Sequence, residues 1–274
     1  MIFPFFEYQY MQNAIIASFF ASIICGTIGV IIIEKKMIMM SGGIAHTSYG
    51  GVGLGYLIGI EPIWGAFLFS ILAALGIGTL KRKKGEYSDI IIGILWPFGM
   101  ALGIIFIALM PGYPPNLDSY LFGDILSVTT NNIILITILA FSVSLIIILF
   151  FNYWEAYIFD KEFASIMGIN TLFLEYLLFI AIAMTVVILI HVVGIILVLA
   201  LLTTPAAISR MFAKNLKSRM FVSIILSSIF CFTGLWLSYI LNVASGAAIV
   251  VLSSIFYLLS FSIVSVIKKR QQKS

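Results

Sequence analysis

The chain alternates between long apolar runs and short polar or basic interruptions. Residues 11–33, 41–60, 63–80, 90–110 and 132–151 are apolar almost throughout and carry no Asp, Glu, Lys or Arg. A helix needs about 20 apolar residues to cross hydrocarbon, so each run predicts a membrane-spanning helix. Glu34, Lys35 and Lys36 close the first run, and Lys81, Arg82, Lys83 and Lys84 close the third. Pro111, Pro114 and Pro115 end the fourth, because proline lacks the helical donor and clashes with the preceding turn.

The pattern then changes. Residues 154–170 mix Glu155, Asp160, Lys161 and Glu162 with Ala156, Phe159, Phe163, Ile166 and Met167 at near-helical spacing. This predicts a short amphipathic surface helix rather than a span. Residues 176–209 are uncharged, and one continuous helix over them would be about 50 Å long, too long for an upright crossing. His191 and Gly194 mark the break, giving spans over 172–190 and 193–209, the second short and carrying Pro205. Such a broken or re-entrant pair is tolerable only where the break is buried in protein or lines a cavity. Residues 220–267 hold two more spans, divided at 242–246. The expectation is about eight or nine transmembrane helices, according to whether 172–209 is one broken helix or two crossings.

Composition narrows the class. The 274 residues are 62% hydrophobic and 9% charged, with a mean hydropathy of +1.18, against about 25% charged in a soluble domain. The fold class is an all-α polytopic membrane protein, with 1–274 as one transmembrane domain and a cytoplasmic segment at about 154–170. The first 33 residues lack a basic start and read as a membrane helix rather than a signal peptide. Cys25 and Cys231 sit in apolar runs, where they are packing residues.

Charge fixes orientation. All fifteen Lys and Arg residues can be placed on one side, in the clusters at 35–36, 81–84, 161, 210–219 and 268–273. The excess of positive loops on the cytoplasmic side puts the N-terminus outside and the C-terminus inside. The outer loops then hold Glu7, Glu61, Asp118 and Asp124 and no basic residue, an acidic face attractive to cations. A net charge of +4 confined to short loops excludes a nucleic-acid face and suits anionic headgroups and a partner at the cytoplasmic side. No Gly-x-x-x-x-Gly-Lys-Ser/Thr loop occurs, so the chain does not hydrolyse ATP by that route and is not itself an enzyme.

Few polar residues remain inside. The second span holds Gly42, Gly43, Gly50, Gly51 and Gly53, which serve close packing, or a pathway-lining helix that bends or slides. His46 lies on the same span, where an imidazole is costly unless paired or facing a polar cavity, and can ligate a borderline metal. His191 is placed at the outer end of the sixth span, either to meet an arriving cation or as a boundary residue. Asp118 and Asp124 flank an outer segment and either attract cations, dock a partner or are solvated. No Cys/His cluster supplies the four ligands of a structural zinc site, so any metal binds transiently.

Five motifs in order make the chain resemble the permeases of the zinc/manganese ABC importer family, over almost its whole length. They are Met40-Ser41-Gly42-Gly43-Ile44-Ala45-His46 with the following glycines, Ser119-Tyr120-Leu121-Phe122-Gly123-Asp124-Ile125-Leu126, and Phe159-Asp160-Lys161-Glu162-Phe163-Ala164 with Gly168. Val192-Val193-Gly194-Ile195-Ile196-Leu197-Val198 leads to Pro205-Ala206-Ala207 and Arg210. Leu237-Ser238-Tyr239 with Ser245-Gly246 completes the set. The resemblance implies a type II importer permease in a prokaryotic inner membrane. It implies a second permease copy, cytoplasmic ATPase subunits and an extracellular metal-binding protein as partners. The cargo is zinc, manganese or iron, with no tightly bound cofactor. It makes His46 the pathway histidine and 160–168, with Asp160, Glu162, Ala164 and Gly168, the coupling segment. The sequence departs from the pattern at Gly42, where aspartate is usual, and at His191, where glutamine is common. An ATP-independent cation transporter and a membrane assembly subunit are the alternative readings.

Overall fold

The computed structural model describes residues 8–83, 88–112, 123 and 125–271. The helices are α1 Gln9–Glu34, α2 Ile38–Ile58, α3 Pro62–Lys83, α4 Ser88–Ala108, α5 Thr130–Leu149, α6 Phe151–Phe159, α7 Lys161–Ile166, α8 Thr171–Val193, α9 Ile195–Phe212, α10 Leu216–Leu241 and α11 Ser245–Gln271, with a 3-10 turn at Ile125–Ser127. Among the described residues, eight helices are long and apolar enough to cross a membrane: α1, α3, α4, α5, α8, α9, α10 and α11. α2 has 21 residues but is not one of the eight, because serine, threonine, histidine and repeated glycine dilute its apolar content. It is the ninth predicted crossing.

The backbone falls into two compact units. The first comprises Met1–Ile33, Phe122–Ser144 and Val192–Ser274. In it α9, α10 and α11 pack on one another, and α1 joins them by close approach. A Cβ on Gly29 would run into the carbonyl of Leu202 on α9, and one on Gly26 into Ile224 on α10. Asn13 on α1 is tied by its amide to the Val128 carbonyl at 3.1 Å. Cys25 and Cys231 are free and buried, as packing residues are.

The second unit comprises Glu34–Leu121 and Leu145–His191. Here α2 packs against both α3 and α4, and glycine makes that possible. A Cβ on Gly51 would collide with the Gly65 carbonyl of α3, and one on Gly53 would lie 2.5 Å from the Gly103 carbonyl of α4. α2 therefore meets its neighbours backbone to backbone. The serine and threonine hydroxyls of α2 find acceptors within the helix: Thr47 donates to the Gly43 carbonyl at 2.7 Å, Ser41 to Ile38 at 2.8 Å and Ser48 to Ala45 at 2.5 Å.

The long uncharged run does break where its length required. Gly194 has φ 85° and ψ 160°, a backbone state that only glycine adopts at low cost. α8 ends at Val193 and α9 begins at Ile195. Gly194 is buried, as membrane physics requires of non-helical backbone. Gly123, at φ 64°, lies so close to the Val193 carbonyl that any side chain there would clash. Gly123 of the predicted outer motif thus lies directly against the break.

The 154–170 segment is two helices rather than one. Asp160 takes an extended conformation (φ −146°, ψ 100°) and its Oδ1 accepts from the amides of Glu162 and Phe163 at 3.0 and 2.9 Å. An aspartate in that position caps a new helix, so α6 stops and α7 starts there.

Candidate metal passage and coupling surface

His46 projects from α2 toward α4 and is half-buried. Its partners are side chains, not backbone. The imidazole stacks on Trp96 with centroids 4.2 Å apart and planes 22° from parallel. Its Nδ1 lies 3.1 Å from the Met100 sulfur. Trp96 and Met100 are one turn apart on α4 and so share a face. Trp96 also fills the space beside Gly42, where a Cβ would lie 2.9 Å from the indole ring. Sequence reading found His46 and Gly42 but missed Trp96 and Met100. Both sit in an unremarkable apolar run, and only the packing of α4 on α2 brings them to the imidazole.

The other glycines singled out on α2 are packing positions in this structure: Gly43 faces Ile92, and Gly50 faces the Gly99 carbonyl and Phe69. His191 is exposed near the end of α8, within electrostatic reach of the Glu61 carboxylate. Among the described residues, no hydrogen bond, ion pair or ring contact joins Glu61 or His191 to Trp96 or Met100. Asp118 and Asp124 lie outside the described residues. Among the described residues, no three His, Cys, Asp or Glu side chains converge to hold a metal.

The α6–α7 corner forms the second candidate surface. Asp160 caps α7, Ala164 is fully buried and Gly168, at φ 79°, ends the turn beyond α7. These three shape the element, while Glu162 is exposed. The apolar side chains of Phe159, Phe163, Ile166 and Met167 are also exposed, Ile166 at 83%. An apolar hollow of about 200 Å³, lined in part by Phe150, Tyr153 and Phe173, lies within the same unit. Lys161 pairs with Glu175 at 2.7 Å, which ties α7 to the start of α8.

Three basic positions gather in this unit. The Lys35 ammonium donates to the Tyr157 carbonyl and sits 3.9 Å over the Tyr157 ring. Lys161 and Lys81 both lie within electrostatic reach of it. Lys35 just past α1, Lys81 near the end of α3 and Lys161 at the start of α7 therefore share one face of the unit. Burial and then the Lys161 charge lower the Lys35 pKa from 10.5 to about 8. A cation whose folded pKa is depressed lowers stability below about pH 8, and that cost vanishes as pH rises toward 10.5. Amine-reactive labelling of Lys35, followed by peptide mass spectrometry, is expected to reach half its maximal rate near pH 8. A midpoint near 10.5 would contradict the burial of this ammonium.

Comparison with known proteins gives a consistent result. A sequence model of the ABC 3 transport family matches residues 7–264. An uncharacterized membrane protein of Synechocystis is 42% identical over 256 residues, covering 93% of this chain and 91% of that protein. The manganese transport system membrane protein MntC of Listeria monocytogenes is 34% identical over 255 residues, with 93% and 91% covered. Among solved structures, PsaBC from Streptococcus pneumoniae in complex with Fab superposes with a TM-score of 0.85 at 34% identity, covering 95% of each chain.

Proposed function

This chain belongs to the ABC 3 transport family, as the transmembrane permease subunit of a metal importer, and we propose that a divalent transition-metal ion crosses beside His46 while α7 takes the stroke of a cytoplasmic ATPase. The metal is zinc, manganese or iron; MntC, a relative at 34% identity, carries manganese in its name. Two permease copies form the membrane part, and an extracellular metal-binding protein delivers the ion to the acidic outer loops that hold Glu61, Asp118 and Asp124. The N-terminus is outside and the C-terminus cytoplasmic in a prokaryotic inner membrane. Lys35, Lys81 and Lys161 sharing one face of their unit supports that orientation.

The observation that carries the reading is His46 itself. It is half-buried on a glycine-rich helix, and no backbone group claims its imidazole. A neutral imidazole in that setting can accept a borderline metal and release it, which suits transit. His191, with Glu61 in electrostatic reach, serves as an outer contact for the same ion. The chain supplies the passage and the coupling surface, and the ATPase supplies the hydrolysis.

Replacing His46 by alanine is expected to lower uptake at least about tenfold, the scale of losing one group that tunes a metal site. The amount of folded permease should be little changed, because the side chain is only half-buried. Labelled zinc and manganese uptake into vesicles carrying the assembled complex is the measurement. Unchanged uptake of both ions would remove His46 from the passage.

A further inference from the structure

The neighbours of His46 say something about which cation suits it, and this step rests on the import reading above. Among the described residues, no cluster of three His, Cys, Asp or Glu side chains supplies further ligands. The nearest donor to the imidazole is a thioether, the Met100 sulfur at 3.1 Å from Nδ1. A tetrahedral ion with bonds of about 2.0 Å to nitrogen and at least about 2.3 Å to sulfur would hold the two atoms at least about 3.5 Å apart. Opening the pair by about half an ångström is within reach of methionine, with its three rotatable bonds. Both residues are half-buried rather than sealed in the core, so the pair can be reached.

The position from which an acidic side chain would join His46 on the same helix face is one turn away, at residue 42. It is glycine, and Trp96 occupies the space: a Cβ there would lie 2.9 Å from Cζ3 and 3.1 Å from Cη2 of the indole. The stacked indole thus closes that side to a carboxylate. What remains is one imidazole and one thioether, both neutral. Thioether and imidazole favour softer and borderline cations, whereas carboxylate and water suit manganese, magnesium and calcium.

We propose that Met100 is a specificity-determining ligand, which with His46 favours zinc-like borderline cations over manganese, and that Trp96 enforces this by excluding a carboxylate from position 42. The pair holds its ion without a counter-charge, so binding is weak and exchange fast.

The test uses the full permease with its ATPase. X-ray absorption at the zinc edge of the zinc-loaded complex is expected to show a directly bound sulfur scatterer, somewhat beyond the roughly 2.3 Å of a zinc–thiolate bond because a thioether is the weaker donor. That scatterer should disappear in Met100→Leu, a volume-conserving change that keeps the packing. Growth with selenomethionine should replace it by selenium without any substitution, which covers the case in which the leucine variant fails to fold. In competition between labelled zinc and manganese, Met100→Leu should lose about tenfold of the zinc preference, or about 1.4 kcal/mol. A shell of nitrogen and oxygen only, with unchanged preference in Met100→Leu, overturns the proposal. If the wild-type complex moves neither ion while the sulfur shell is present, the import reading falls and the site stands. If uptake is intact and the sulfur shell is missing, the site falls and import stands.

Discussion

Gly51→Ala is expected to leave the permease severely destabilised, although it adds a single methyl group. In a helix with open space around it the same change gains up to about 1 kcal/mol from helix propensity. At position 51 the new Cβ would fall on the carbonyl of Gly65, and neither backbone can move without parting α2 from α3. Overpacking against side chains costs about 1–3 kcal/mol, and backbone yields less than a side chain, so a loss of at least about 3 kcal/mol follows. Gly76 on α3 is the matched control, since a Cβ there meets nothing within 4 Å. The thermal midpoint of the detergent-purified protein should fall sharply for Gly51→Ala and hold or rise for Gly76→Ala. Two variants melting alike would show that α2 and α3 do not touch as described.

The second large effect concerns the α6–α7 corner. Ile166→Glu is expected to weaken ATPase binding by about 30-fold or more, corresponding to an interface hot spot of about 2 kcal/mol. Ile166 is 83% exposed, so the change touches little inside this chain and its thermal midpoint should be unaltered. What it removes is exposed apolar surface on a corner that also exposes Phe159, Phe163 and Met167. A carboxylate placed there would be desolvated without a partner on docking. Titration of the purified ATPase onto permease in nanodiscs measures the affinity, and labelled metal uptake should fall in parallel. Wild-type affinity with normal uptake would mean that the ATPase lands elsewhere.

The crossings and their ends were legible because hydrocarbon thickness and charge act on the sequence directly. The break at Gly194 was legible for the same reason: a run too long for one span contains a glycine. The division of 154–170 is masked in the sequence, although Asp160 followed by an acidic first-turn residue is a local capping signal, because the apolar spacing runs through it. The surroundings of His46 were beyond reach. Trp96 and Met100 lie about fifty positions along the chain in an apolar run, and no periodicity says which face of α4 meets α2. The choice left open for the α2 glycines, between packing and sliding, also depends on contacts that a single sequence does not display.

Those contacts bear on how the second unit changes shape. Shifting α2 by one turn along its neighbours would carry Gly55 or Thr47 to the Gly65 carbonyl. The same shift would bring Leu54 or His46 onto the Gly99 carbonyl, and Leu57 or Tyr49 onto Gly103, where a Cβ is already too large. Like a key whose cuts match a lock in a single register, α2 cannot ratchet in either direction. Any stroke must carry it as freight, together with the parts of α3 and α4 that grip it.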